Sequence, residues 1–124
     1  MLKNELGIML YGYNKDDAES LHSIIRDGLK KDVALLSASG REELTLKDCL
    51  ARTDWDYEQA EPPILIFLSF GDDDIHKTLQ LIRGAEIRRP IFCALTAENI
   101  RWPLNVLIDH LREEDLYWKN RKKK

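Results

Sequence analysis

The chain predicts an α/β fold: a single-domain three-layer sandwich in which about four parallel strands, in the order 2-1-3-4, carry helices on both faces. Three observations lead there. From Pro62 to Glu114, apolar runs of strand length alternate with amphipathic stretches of helix length, and Gly, Pro or Asp marks each boundary. The run Ile64 to Phe70 is apolar at nearly every position, as a central parallel strand buried on both faces requires. A length of 124 residues, 44% hydrophobic and 33% charged, suits one core covered by two or three layers.

The elements follow in order. Leu6 to Tyr11 is a short apolar run closed by Gly12, Tyr13 and Asn14, which favours a strand. Asn14 is a good helix N-cap, and Asp16 and Asp17 stand in the first turn, where carboxylates meet the positive helix end. Ala18, Leu21, Ile24, Ile25 and Leu29 then make one apolar stripe. Val33 to Ala38 is the second strand, closed by Ser39 and Gly40. Between Arg41 and Ala51 the pattern weakens, with Leu44, Leu46 and Leu50 supporting only a short helix. Thr53 to Glu61 is an acidic connector, and Pro62 and Pro63 lead into the third strand.

After that strand, Gly71 permits a sharp turn, and one of Asp72, Asp73 or Asp74 caps a helix whose core side is Ile75, Leu79, Ile82 and Ala85. Ile91 to Thr96 is the fourth strand. Pro103 suits the first position of a last helix striped by Leu104, Leu107, Ile108 and Leu111. Strands separated by crossovers are expected to run parallel, with the first and third central. Residues 1–118 form the domain and 119–124 a basic tail. No internal repeat is legible.

Charge and composition exclude several classes. A net charge of −3 gives no global attraction to nucleic acid or anionic membranes. No apolar run approaches the roughly 20 residues that span a bilayer, and the N-terminus lacks the pattern of a secretory signal. Cys49 and Cys93 are isolated, which fits a cytoplasmic protein with reduced thiols. The tail Lys119, Asn120, Arg121, Lys122, Lys123, Lys124 is the one segment suited to a weak, salt-sensitive nucleic-acid contact; it equally suits a solubilising end.

FLSFGDDDIHKTLQLIRGAEI followed by FCALTAENIRWPLNVLIDHLREE resembles the uncharacterised bacterial domain-of-unknown-function family DUF3783. The matching positions are Ala94, Leu95, Thr96, Asn99, Trp102, Leu107, Leu111 and Glu114, and Thr53, Asp54, Tyr57 and Glu58 look like that family's connector. The resemblance implies a small cytoplasmic prokaryotic protein and brings no activity, cofactor or catalytic residue. PIFCALTA is also similar to the fourth strand of response-regulator receiver domains. Their phosphoryl chemistry needs a carboxylate ending the third strand and an acidic pair after the first. Here the third strand ends in Ser69, Phe70 and Gly71, and Asp16 and Asp17 arrive later, inside a helix.

The acidic groups Asp16–Asp17, Asp72–Asp74 and Glu98 all fall at helix starts. In an all-parallel sheet these starts share the carboxyl edge, where open sheets bind ligands. A divalent cation on Asp16, Asp17 and Asp72 is one reading; dipole compensation and capping is the other. Thr96, Asn99 and Trp102 either line a pocket with Tyr13, Asn14 and Asp72 or hold a strand-to-helix turn. His22, His76 and His110 lie on three separate helices without ligand spacing, and the serines form no nucleophile elbow. No cofactor is implied. The first expectation is therefore a non-enzymatic regulatory or interaction module, with a homodimer through the bare fourth strand as one form of it. The alternative is a small ligand- or metal-binding protein or enzyme at the carboxyl edge.

Overall fold

The computed structural model describes residues 6–51 and 56–122, with side chains described as far as residue 116. Thr53 and Asp54 of the connector, and Lys123 and Lys124 of the tail, lie outside the described residues. The order is β1 (Leu6–Tyr11), α1 (Lys15–Leu29), β2 (Val33–Ser37), α2 (Leu46–Leu50), β3 (Ile64–Leu68), α3 (Asp72–Arg83), β4 (Ile91–Ala94) and α4 (Leu104–Lys122). A single 3-10 turn, Asn99–Arg101, precedes α4.

Local chemistry explains most boundaries. The Asn14 side chain accepts from the Asp17 amide at 2.9 Å and starts α1. Lys30, at φ 57°, closes it in the left-handed region. Ser69, at φ 64°, turns the chain out of β3 before Phe70. In α3 the cap position is Gly71 with no side-chain bond, so none of the three expected aspartates caps the helix. Asp72, Asp73 and Asp74 all sit in the first turn, against the positive end of the helix dipole.

The strand order is β2-β1-β3-β4, as the sequence implies, but the sheet is mixed. β1 is parallel to β2 and β3 is parallel to β4, while β1 and β3 run antiparallel. The all-parallel expectation fails at the link from β2 to β3. A crossover must carry the chain back along a five-residue strand, roughly 17 Å. The helix available, α2, has 5 residues, and a helix of that length spans only about 7.5 Å. The chain therefore stays at the edge where β2 ends and starts β3 from there.

Strand alternation divides the core into two layers. Ile8, Leu10, Leu65 and Phe67 pack with Ala18, Leu21 and Ile25 of α1 and Ile82 of α3. Met9, Tyr11, Ile64, Ile66 and Leu68 pack on the other face with Leu46 of α2 and Leu104, Leu107, Ile108 and Leu111 of α4. Period-2 strands between period-3.6 stripes give the three layers.

The backbone also carries a repeat that the sequence hides. Met9 and Ile66 face one another across the β1–β3 ladder, 57 positions apart. Adding 57 carries the β1–β2 pairs Gly7↔Ala34 and Ile8↔Leu35 onto the β3–β4 pairs Ile64↔Ile91 and Leu65↔Phe92. α1 and α3 start the same distance apart, at Lys15 and Asp72, and bury Leu21 and Thr78, Ile25 and Ile82, in matching places. On the opposite face the relation continues with one residue inserted. The Leu46 amide donates to the Trp102 carbonyl at 3.0 Å, and the Leu104 amide donates to the Leu44 carbonyl at 2.7 Å. Two βαβ units are thus related by an approximate two-fold axis normal to the sheet, between β1 and β3.

Candidate functional site

The mixed sheet redistributes the residues expected to share one rim. Tyr13, Asn14, Asp16 and Asp17 follow β1, on the edge where β3 and β4 begin; Asp72, Thr96 and Asn99 follow β3 and β4, on the opposite edge. The length of β3 between those edges is on the order of 15 Å. Ligands of one calcium-like cation all lie within about 2.6 Å of it, so Asp16, Asp17 and Asp72 do not converge. Among the described residues, no group of three or more His, Cys, Asp or Glu is placed to hold a metal ion. The same separation keeps the end of β3 away from Asp16 and Asp17, so a receiver-type phosphorylation centre does not assemble either.

At the first edge, Tyr13 is fully buried and its hydroxyl donates to the Arg88 carbonyl at 2.6 Å. The Arg88 guanidinium lies over the Tyr13 ring, 5.3 Å from its centroid. It donates to the Gly12 carbonyl, to the Ala60 carbonyl at 3.5 Å and to the Glu61 carboxylate at 2.5 Å. One side chain therefore ties the end of β1, the connector and the start of β4. Burial pushes the Tyr13 phenol well above its ordinary value, with Arg88 pulling partly the other way. Gly12, at φ 89°, lies so close to the connector that an added Cβ would stand 2.7 Å from the Ala60 carbonyl oxygen. Sequence reading missed Arg88 and Glu61. The available signal was that each stands three residues before one of two neighbouring parallel strands, with Pro in between.

At the second edge, Thr96 and Asn99 bond reciprocally. The Thr96 amide donates to Asn99 Oδ1 at 2.8 Å and the Asn99 amide donates to Thr96 Oγ1 at 2.9 Å. Asn99 Nδ2 donates to the Ala94 carbonyl at 3.0 Å. Asn99 is buried, and these bonds spend its amide on the turn that ends β4. Trp102 passes its carbonyl to α2 and sets its ring edge-on to His110, 5.5 Å between centroids. His22 donates to the Val33 carbonyl of β2 at 2.5 Å.

Among the described strands two present an unpaired outer edge, β2 and β4, and the β4 edge is the more apolar continuation of the expected site. Ile91 and Leu95 direct their amides inward, to Pro63 and Phe67 of the β3 side, at 2.8 and 3.0 Å. By the alternation of a parallel ladder, the Phe92 and Ala94 amides point outward. Ile91, Phe92 and Cys93 are half-buried and Ala94 is exposed. The edge runs on into a cleft of about 340 Å³ lined by Glu61, Pro62, Arg88, Arg89, Ile91 and Asp115, among others. Cys93 sits along this edge, its thiol pushed up by burial and then by Glu114. No helix among the described residues is long and apolar enough to cross a membrane.

No curated protein and no solved structure matches this chain. A family model does: a domain of unknown function, DUF3783, matches residues 63–118. Its span begins one residue before β3 and takes in α3, β4, the 3-10 turn and most of α4, which is the second of the two related units. Over residues 63–118 this chain is similar to the DUF3783 family.

Proposed function

We propose that this chain is a non-enzymatic regulatory or protein-interaction module whose contact surface is the outer edge of β4. The carrying observation is that β4 closes one side of the sheet with outward Phe92 and Ala94 amides and half-buried apolar side chains. Such an edge is a template for an added strand, with main-chain bonds supplying affinity and alternate side chains specificity. A second copy of this chain is the partner we put forward, because one edge meeting its own two-fold copy makes an antiparallel ladder without new chemistry.

Ala94→Pro tests this directly. Proline deletes the outward amide of Ala94 but leaves the inward bonds of Ile91 and Leu95. Light scattering is expected to give a dimer for the parent and a monomer for Ala94→Pro, each with the same far-ultraviolet circular dichroism. A monomeric parent whose Phe92 and Ala94 amides exchange with solvent as slowly as those of β3 would overturn the proposal, since the edge would then be covered from within.

A further inference from the structure

We infer that the unit spanning residues 63–118 is self-pairing, so that the inner edge of β3 and the apolar faces beside it are a surface built to receive a second copy of that unit. In this chain residues 6–51 occupy that surface in cis. The inference stands apart from the β4 edge, because it concerns the opposite side of the same two strands.

The registers carry it. Any antiparallel ladder is symmetric about one of its own pairs; here that pair, Met9↔Ile66, has the same 57-position offset that carries the β1–β2 register onto the β3–β4 register. An isologous interface has this form, each patch meeting its own equivalent. The crossing on the other face is reciprocal too, Leu46 to Trp102 and Leu104 to Leu44. One offset, with a single residue inserted on the second face, thus relates the strands, the helices and this crossing.

The second unit also needs such a partner. Alone it holds two strands with α3 and α4, and the inner edge of β3 would be left without a ladder partner. All of β3 is buried, from Ile64 at 0% exposure to Phe67 at 3%. Much of that cover comes from the first unit, since Ala18, Leu21 and Ile25 pack in the same cluster as Leu65 and Phe67. The family match stops short of the first unit, although the backbone of that unit repeats the second. Different side chains at equivalent places, as Leu21 and Thr78, are compatible with a shared ladder, because ladder bonds use main-chain atoms alone.

The test uses the full chain with a specific protease site inserted between Ala51 and Asp56, cut after folding. Native mass spectrometry is expected to find the two halves together. After incubation it is expected to show a new species at twice the mass of the second half, formed by exchange. A second half found only with the first half, or only alone, overturns the inference. If cutting unfolds the protein, a full-length tandem decides, in which the first unit is replaced by a second copy of residues 63–118. A cooperative, monomeric tandem supports the inference; a tandem with no cooperative unfolding transition, or one that aggregates, overturns it.

Discussion

Gly28 of α1 lies so close to Leu81 of α3 that a Cβ added to it would stand 2.4 Å from Leu81 Cδ1 and 2.7 Å from Cδ2. The two helices follow strands of opposite direction and meet on one face of the sheet. Glycine near the end of α1 sacrifices about 0.5–1 kcal/mol of helix propensity relative to alanine. Its return is the seat for Leu81.

Substitutions at this contact separate the two effects. In Gly28→Ala the obstructing atoms are the mobile ends of a half-buried leucine, so a rotamer change offsets the propensity gain. The expected stability change is within about 1 kcal/mol of zero. In Gly28→Leu no rotamer accommodates both side chains, and a loss of about 1–3 kcal/mol is expected. Urea midpoints with an unchanged slope check both values. A Gly28→Leu variant as stable as the parent would mean that α1 and α3 part freely.

Arg88 carries a different kind of prediction, because one guanidinium serves three acceptors and a ring. Arg88→Met keeps the stem and removes the bonds, leaving the Gly12 carbonyl without this donor. A loss of about 1–3 kcal/mol is expected in chemical denaturation. Arg88→Lys is expected to recover less than half of it, since an ammonium cannot reproduce the planar fork. Equal stability of the lysine variant and the parent would show that charge alone matters here.

The contrast between these contacts and the helix caps shows what a single sequence reveals. Asn14, the α1 stripe and the Thr96–Asn99 turn were legible because each acts over three or four residues of chain. The Tyr13–Arg88 contact joins residues 75 positions apart, and no local pattern encodes it. Strand direction was hidden for a related reason: Ile64 to Leu68 reads alike whichever way it runs. The one available clue was the weakness of the Arg41–Ala51 pattern, a helix too short to carry β2 back along the sheet. Once β3 reverses, Asp72 leaves Asp16 and Asp17, and the shared rim is lost. The repeat was hidden because some equivalent positions keep their burial while changing residue type, as Leu21 and Thr78 do.

Asn99→Asp probes the turn that terminates β4. A carboxylate still accepts from the Thr96 amide, but it cannot donate to the Ala94 carbonyl as Nδ2 does. Two oxygens then face each other in a buried place, and a loss of about 1–3 kcal/mol is expected. Thr96→Ser retains the hydroxyl that accepts from the Asn99 amide and is expected to change stability by less than about 0.5 kcal/mol. Thermal unfolding of the pair checks the contrast. A stable Asn99→Asp would mean that the Ala94 carbonyl finds another donor, and β4 would not depend on this turn.

Tyr57 gives a prediction with a sign in both pH and stability. Its hydroxyl oxygen is buried and has no hydrogen-bond partner. Burial, then Glu19, pushes the phenol up to about 12 from 10.0. Tyr11 is raised as well, by burial and then by Glu42 and Glu58. In the unfolded chain these phenols lose their protons near their ordinary value, while the folded protein holds them. Above about pH 10 the unfolded state therefore binds fewer protons, and stability falls as pH rises toward 12. Tyr57→Phe removes a buried oxygen that makes no bond, so at pH 7 it is expected to be neutral or to stabilise by up to about 1 kcal/mol. It should also make the alkaline loss shallower, without abolishing the share due to Tyr11 and Tyr13. Urea midpoints for both proteins from pH 7 to 11 provide the check. A variant weaker than the parent at pH 7, with the same alkaline slope, would place a hydrogen bond on Tyr57 and remove the basis of this prediction.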